Sequence, residues 1–197
     1  MKIKISNKVI SENSKTYFIA DIGANHDGSI KRAKKLIKLA ALSGADAAKF
    51  QHFKAETIVN KEIFDKQKKT AHQAKWKTSV FDIYKKASIN NKWNKILKNE
   101  CKKFNIHFLT SPYDLEYINI VNKFIPAYKI GSGDITWEEA LIKISEKKKP
   151  VILATGASTM KDVLNASKKI LKINKQLILM QCNTNYTAEE NNFKFIN

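Results

Sequence analysis

The sequence has little arginine, and this shortage excludes one class of protein. Arg32 is the single arginine among 36 basic residues, although the formal net charge is +18. Nucleic-acid binders usually cluster their basic residues and use arginine for bidentate contacts, whereas these lysines are distributed over every predicted helix. We therefore predict no nucleic-acid partner. The charge is interpreted as lysine on solvated faces, to which a basic cleft for an anionic substrate adds.

Long apolar runs and cysteines are also scarce. No stretch approaches the roughly 18 apolar residues that a membrane span needs, and residues 1–6 lack the apolar core of a signal peptide. Cys101 and Cys182 are too few for a disulfide framework. We expect a cytoplasmic protein with no membrane partner, and a chain of 197 residues predicts one domain.

Residues 17–28 are the stretch around which the rest is organised. An apolar run, 18–22, predicts a buried strand, and a polar turn with two glycines follows it. Ser29 is a suitable N-cap for a helix over 30–43. A strand that ends in polar groups and continues into a helix is how α/β enzymes position catalytic groups.

The strand–polar tip–helix pattern returns five more times. The further strands are predicted at 45–50, 106–109, 127–130, 151–154 and 176–181. Polar groups are confined to their C-terminal ends, as in a (β/α)8 TIM barrel, whose loops all face one cavity. A doubly wound sheet would use only the loops at its switch point. The fold class predicted is α/β, an incomplete (β/α)8 barrel of about six βα units that occupies 1–197.

Smaller features complete the prediction of structure. Residues 2–10 indicate a hairpin, and the polar segment 55–77 indicates a functional loop or lid. Ser88 is expected to cap a helix over 90–104, and Thr136 to cap the helix after the fourth strand. One face of the helix over 90–104 is expected to carry Trp93, Ile96 and Leu97.

Side chains at the strand ends suit an anionic, polyhydroxylated ligand. Lys49 and Lys129 supply positive charge, and the backbone around Gly131 supplies N–H donors near a helix start. The neighbouring hydroxyls are Thr110, Ser111, Ser132 and Thr155. Carboxylates and neutral hydrogen-bonding groups are added by Asp21, Asp134, Gln51, Asn183, Asn185 and Tyr186.

Histidine and cysteine give no metal site in the sequence. His26, His52 and His72 lack metal-ligand spacing, and His107 falls inside a predicted strand. No metal ligand is therefore assigned. Cys182 follows a strand, as a nucleophile would, but no histidine is near it in sequence, so a small buried residue is the better interpretation.

Six short motifs occur in an order that resembles one enzyme family. They are DIGANHDG at 21–28, AAKFQ at 47–51, TSPYD at 110–114, PAYKIGSGD at 126–134, ATG at 154–156 and CNTNY at 182–186. The sequence is similar to the sialic acid (N-acetylneuraminate) synthase family, and residues 72–76, 133–137 and 181–187 are most similar to its legionaminic acid branch. The resemblance implies condensation of phosphoenolpyruvate with an N-acetylated mannose-type sugar and release of phosphate.

The resemblance also implies roles for individual residues. The positions that bind phosphoenolpyruvate are Lys49, Thr110, Lys129 and Ser132, and those that hold the sugar are Gln51, Asp134 and Tyr186. Thr155 and Asn183 are expected to join them in binding substrate. Asp21 matches a glutamate that acts near the aldehyde and the attacking water. Aspartate replaces glutamate at both 21 and 134, which shortens each side chain by one methylene.

Other family features are expected to lie outside this chain. The resemblance implies a divalent metal, Mn²⁺ or Mg²⁺, bound by two later histidines, and a C-terminal antifreeze-like domain that completes a homodimer. We therefore expect residues 1–197 alone to be inactive. Two alternatives stay open: another phosphoenolpyruvate-condensing barrel, such as a deoxy-octulosonate phosphate synthase, or an inactive fragment or binding remnant of a split synthase. The former needs a second basic site for a sugar phosphate.

Overall fold

The computed structural model describes residues 2–66 and 78–184. The chain forms two compact units, Tyr17–Ile125 and the combination of Met1–Thr16 with Pro126–Asn197. Within the described residues, no helix is long and apolar enough to cross a membrane.

The unit Tyr17–Ile125 contains three parallel strands in the order of the chain. These strands are β3 (Ile19–Gly23), β4 (Ala47–His52) and β5 (His107–Pro112). The helices are α1 (Ile30–Leu42), α2 (Ala55–Ile58), α3 (Lys61–Lys66), α4 (Val80–Ala87), α5 (Trp93–Lys103) and α6 (Leu115–Asn122). Ser29 caps α1 as predicted, because its hydroxyl accepts a hydrogen bond from the Arg32 N–H.

The register of β4 and β5 divides their side chains between two faces. Successive residues of a strand point to opposite faces, and register partners share a face. Gln51 is the partner of Ser111 on one face, whereas Phe50 is the partner of Thr110 on the other. We call the face that carries Lys49, Gln51 and Ser111 the site face. The opposite face, with Phe50, His52 and Thr110, is the helix face.

The second unit combines a hairpin with three further parallel strands. The hairpin strands are β1 (Ile3–Ile5) and β2 (Lys8–Ile10), which pair as predicted around Ser6 and Asn7. The parallel strands are β6 (Tyr128–Ile130), β7 (Val151–Ala154) and β8 (Leu177–Met180), with helices α7 (Glu138–Glu146) and α8 (Met160–Ile173) between them. The α/β class predicted from the sequence is confirmed in both units.

The parallel strands differ in how far their residues are buried. All four residues of β7 are buried, as a strand covered on both faces requires. Phe18, in contrast, precedes β3 and is 60% exposed, and β3 buries only its last two residues, Ile22 and Gly23. In β8 no residue is fully buried. The prediction that the first strand is buried throughout is therefore wrong.

The segment between β4 and α4 is more helical than predicted. Its described part contains α2 and α3, although residues 55–77 have little apolar periodicity. Two predicted caps are also wrong. Ser88 ends α4, where its hydroxyl donates to the Tyr84 carbonyl, and Trp137 rather than Thr136 precedes α7. A 3₁₀ turn, Ser132–Asp134, moves the start of α7 along the chain.

Candidate functional site

Lys49 is a buried cation in the middle of β4. Only 4% of the residue is exposed, and its Nζ lies 3.0 Å from Oδ1 of Asp21 on β3. The register places the two residues side by side, which explains the contact. The Asp21 side chain is 64% exposed, so the pair has its cation inside and its carboxylate towards solvent. The ammonium of Lys49 has N–H donors besides the one directed at Asp21, so it is also suited to bind an anion.

Ser111 lies on the site face together with Lys49 and Gln51. It is 1% exposed, and its Oγ has no hydrogen-bond partner among the residues that the structure describes. A buried hydroxyl without a partner is uncommon and costs free energy. This hydroxyl therefore has a hydrogen left to donate, on the face that also carries Lys49.

Thr110 faces away from this group of residues. Its Oγ1 lies 2.7 Å from Nδ1 of His52, and Nε2 of His52 lies 2.7 Å from Oδ1 of Asn94 on α5. All three residues are fully buried. The Asn94 oxygen only accepts, so His52 carries its hydrogen on Nε2 and accepts the Thr110 hydroxyl hydrogen at Nδ1. The Thr110 hydroxyl thus donates within the helix face. Its expected contact with substrate stays a prediction, and the register offers Ser111 on the site face as the other candidate.

Burial lowers the pKa of two histidines of this unit, His26 and His52. Desolvation lowers the pKa of His52 to about 4, against smaller opposing effects such as its hydrogen bond with Asn94. Desolvation also lowers the pKa of His26, whose ring is fully buried against Phe50 and Trp93. Both rings are thus parts of the core.

Gln51 borders a cavity of about 190 Å³. Its Nε2 donates to the hydroxyl of Tyr113 at 3.3 Å. The cavity is lined by Ala24, Asn25, Asp27, Gln51, Phe53, Ile83, Tyr84 and Ala87. Gln51 therefore belongs both to the site face and to the cavity wall.

The second unit contains its own polar group. Lys129 lies in β6 and is half-buried, and the 3₁₀ turn with Ser132 and Asp134 follows it. Burial raises the pKa of Asp134, and the positive charge of Lys129 acts in the opposite direction. Ser132 Oγ accepts a hydrogen bond from the Gly156 N–H at 3.1 Å, so its own hydrogen is free to be donated to a ligand.

The ends of β7 and β8 pack closely within this unit. Thr155 Oγ1 donates to the Met180 carbonyl at 3.1 Å. A Cβ on Gly156 would lie 2.8 Å from Cγ2 of Thr184 and 3.0 Å from the Cys182 carbonyl, which explains the glycine. The hydrogen of the Thr155 hydroxyl is therefore used in a bond to the last residue of β8.

Fewer contacts describe the remaining residues that the sequence analysis singled out, and some of these residues lie outside the described part of the chain. Asn183 is half-buried and has interactions within the protein. Cys182 is half-buried rather than buried, and its Sγ lies 3.5 Å from the Met180 carbonyl. Tyr186, Asn185 and His72 lie outside the described residues. Asn94 and the role of Ser111 were not predicted from the sequence.

The part of the chain that the structure describes does not fit a divalent metal. Within residues 2–66 and 78–184, no group of three His, Cys, Asp or Glu side chains could hold an ion. The nitrogens of His52 are both hydrogen-bonded, and Nδ1 of His26 accepts from the Gly28 N–H at 3.1 Å.

Comparison with known proteins identifies the family. The model of the NeuB family matches residues 36–197. An N,N'-diacetyllegionaminic acid synthase from Campylobacter jejuni is 37% identical over 184 residues, which cover 90% of this chain and 54% of that protein. The spore coat polysaccharide biosynthesis protein SpsE of Bacillus subtilis is 30% identical and is covered to 49%. The chain spans about half the length of the curated relatives that it matches.

Solved structures of other proteins have a fold similar to that of this chain. An N-acetylneuraminic acid synthetase from Leptospira borgpetersenii, crystallised with citrate, has a TM-score of 0.82 and 27% identity over 96% of this chain and 62% of its own. A truncated 3-deoxy-D-arabino-heptulosonate 7-phosphate synthase from Thermotoga maritima, with a TM-score of 0.64 and 14% identity, shares the fold alone. These likenesses confirm the incomplete barrel predicted from the sequence. The family match over residues 36–197 shows that the chain belongs to the NeuB family.

Proposed function

We propose that the protein containing this chain condenses phosphoenolpyruvate with an N-acetylated mannose-type sugar and releases phosphate. The observation that carries the proposal is the buried Lys49 ammonium beside Asp21, with the unpartnered Ser111 hydroxyl on the same face, in a chain of the NeuB family. Phosphoenolpyruvate is a compact anion, and a buried cation with neighbouring donors binds such a molecule more strongly than a solvated lysine does.

The chemistry assigned to these residues is a carbon–carbon bond formation. C3 of phosphoenolpyruvate attacks the aldehyde carbon of the open-chain sugar, and positive charge develops at C2. Water adds at C2, and one of its protons passes by way of a base to the new alkoxide. The bond between C2 and the phosphate oxygen then breaks, the remaining water oxygen becomes the ketone oxygen, and its proton goes to the departing phosphate. We propose that Lys49 and Lys129 neutralise the anionic groups of phosphoenolpyruvate. Asp21, next to Lys49 and open to solvent, is proposed to accept the proton of the attacking water.

The remaining substrate contacts follow from the same assignment. We propose that Ser132 donates to phosphoenolpyruvate, and that Asp134, Gln51 and Tyr186 hold the sugar. Thr155 and Asn183 are retained as substrate-binding residues. The relatives named N,N'-diacetyllegionaminic acid synthase make a diacetamido sugar of the legionaminic type the substrate that we propose.

Metal, assembly and location are proposed at the level of the whole protein. Because the described residues do not fit a metal, Mn²⁺ or Mg²⁺ is proposed to be bound by ligands elsewhere. A cytoplasmic homodimer is the proposed working form. Sedimentation of the complete protein, which distinguishes monomer from dimer, tests the assembly.

Calorimetry with phosphoenolpyruvate tests the proposed function in residues 1–197. We expect saturable one-to-one binding, because the lysines assigned to this substrate are in the chain. Condensation is measured separately as phosphate release with Mn²⁺ and either N-acetylmannosamine or its 2,4-diacetamido-6-deoxy analogue. No release is expected from residues 1–197 alone, and release by the complete protein is expected to favour the analogue. Absence of phosphoenolpyruvate binding would contradict the proposal.

A pair of isosteric variants tests which hydroxyl of β5 binds the anion. Ser111→Ala is expected to weaken phosphoenolpyruvate binding by about 1.5 kcal/mol, more than tenfold, because one donor to a charged group is lost. Thr110→Val is the matched control, since it removes the neighbouring hydroxyl from the helix face. Its affinity is expected to change less than twofold although its melting temperature falls. The reverse order of effects would support the role expected for Thr110 instead.

A further inference from the structure

The amide of Gln51 has its two ends directed towards different strands. Its Nε2 donates to the hydroxyl of Tyr113, the residue that follows β5, at 3.3 Å. Its Oε1 is directed towards β3, because a Cβ on Gly23 would lie 3.5 Å from Oε1 and 3.7 Å from Cδ. The donor end of the amide therefore faces β5, and the acceptor end faces β3.

The position of Tyr113 follows from the pairing of β4 with β5. Its backbone N–H donates to the His52 carbonyl at 2.8 Å, which continues the ladder by one bond beyond Pro112. Tyr113 comes two residues after Ser111, so its side chain lies on the site face, as its bond to Gln51 requires. The hydroxyl thus reaches Gln51 from a backbone position that the sheet holds in place.

The orientation of this amide determines which group it offers to a ligand. A glutamine amide has an acceptor at one end and donors at the other, and a half-turn exchanges them. The Cβ position on Gly23 also lies 3.5 Å from Asp21 Oδ1, so a carboxylate borders the side to which Oε1 is directed. A carboxylate only accepts hydrogen bonds, and an amide free to turn would direct its N–H groups towards it. The bond to Tyr113 opposes this turn and keeps two acceptor oxygens beside Gly23.

We propose that Tyr113 is a positioning residue, which keeps the carbonyl oxygen of Gln51 turned towards the substrate and so selects a sugar with a hydrogen-bond donor at this point. The inference rests on the proposed function, since that function assigns Gln51 to the sugar. A hydroxyl or an amide N–H of the sugar supplies such a donor, whereas fully ionised phosphoenolpyruvate has none. Tyr113 therefore acts on the binding of the sugar and not on that of phosphoenolpyruvate.

Side-chain amide NMR on residues 1–197 tests the orientation of Gln51 without any substrate. Glutamine is labelled with ¹⁵N, and Gln51→Met identifies the Gln51 signal by its disappearance. We expect Tyr113→Phe to shift this signal, because the hydroxyl that accepts the amide hydrogen is removed. Tyr17→Phe is the matched control: it removes a tyrosine hydroxyl of the same unit, which lies 2.6 Å from Nδ1 of His107, and is expected to leave the Gln51 signal in place. An unmoved Gln51 signal in Tyr113→Phe would overturn the proposal.

Steady-state kinetics of the complete protein measure the consequence for the sugar. With Mn²⁺ and the 2,4-diacetamido-6-deoxy analogue of N-acetylmannosamine, Tyr113→Phe is expected to raise the KM of the sugar about fivefold and to leave the KM of phosphoenolpyruvate within about twofold. The same substitution in the Gln51→Met background is expected to change the KM of the sugar less than about twofold, because the group that Tyr113 orients is gone. Equal effects of Tyr113→Phe in both backgrounds would refute an action through Gln51. Absence of condensation by the unmodified complete protein would instead refute the proposed function, and the NMR signal would still decide whether Tyr113 orients Gln51.

Discussion

Replacement of Lys49 by methionine is expected to weaken phosphoenolpyruvate binding by at least roughly 1.5 kcal/mol, more than tenfold. Methionine keeps most of the length and apolar surface of lysine but removes the ammonium, which is held 3.0 Å from Asp21 in a buried position. The fold is expected to tolerate the change, because the carboxylate that loses its partner is largely exposed. Calorimetry gives the affinity, and thermal unfolding shows that the variant is folded.

The control for this experiment addresses the high net charge. With a charge of +18, removal of any lysine lowers the attraction for an anion slightly. Lys38→Met removes the same charge from the exposed face of α1 in the same unit, and its affinity is expected to stay within twofold. Lys129→Met is expected to match Lys49→Met in the size of its effect. Unchanged affinity in both site variants would contradict the assigned roles.

Acidification between pH 6.5 and pH 4 is expected to destabilise the protein through His52. The pKa of its buried ring is lowered to about 4, whereas an unfolded histidine titrates near 6.5. The unfolded chain therefore binds a proton that the folded chain does not, so the contribution to stability is complete above pH 6.5 and is lost as the pH falls to about 4. The loss is on the order of 3 kcal/mol for one such group.

Denaturant unfolding measured across this pH range checks the effect. His26 and Tyr117 are the titratable groups in ring contact with or electrostatically coupled to His52, and the pKa of His26 is lowered as well. His52→Gln is expected to flatten the dependence by about one proton, while the contribution of His26 is retained. A variant with the slope of the unmodified chain would show that His52 does not titrate on unfolding.

Much of the fold was determined by local sequence. The βα repeats depend on apolar spacing, and the starts of α1, α4 and α8 depend on short-range hydrogen bonds from the caps Ser29, Ser79 and Thr159. Both kinds of signal lie within a few residues of the sequence. The six motifs led to the right family for the same reason, because each is a strand end with its following turn. Lys49 lies beside Asp21, since neighbouring strands of such a repeat bring equivalent positions together.

The buried face of α5 was predicted with an error of about one residue. Asn94, Leu97 and Cys101 are its buried residues, whereas Ile96 is 38% exposed. These buried positions are three and four residues apart, as the positions on one face of a helix are. Asn94 was not recognised as one of them, because a polar side chain at a core position needs a partner that sequence alone does not reveal. That partner is His52, 42 positions earlier in the chain.

The assignment of Thr110 and Ser111 was decided only by tertiary structure. The two hydroxyls are adjacent in the chain and chemically alike, so the sequence by itself established that β5 ends in a hydroxyl pair and no more. A strand has a side-chain period of two, and a shift of one residue therefore exchanges its faces. The register with β4 pairs Ser111 with Gln51 on the site face, and the buried His52 on the helix face accepts the Thr110 hydroxyl. Local composition does not contain this information, because the pairing partner lies about 60 residues away along the chain.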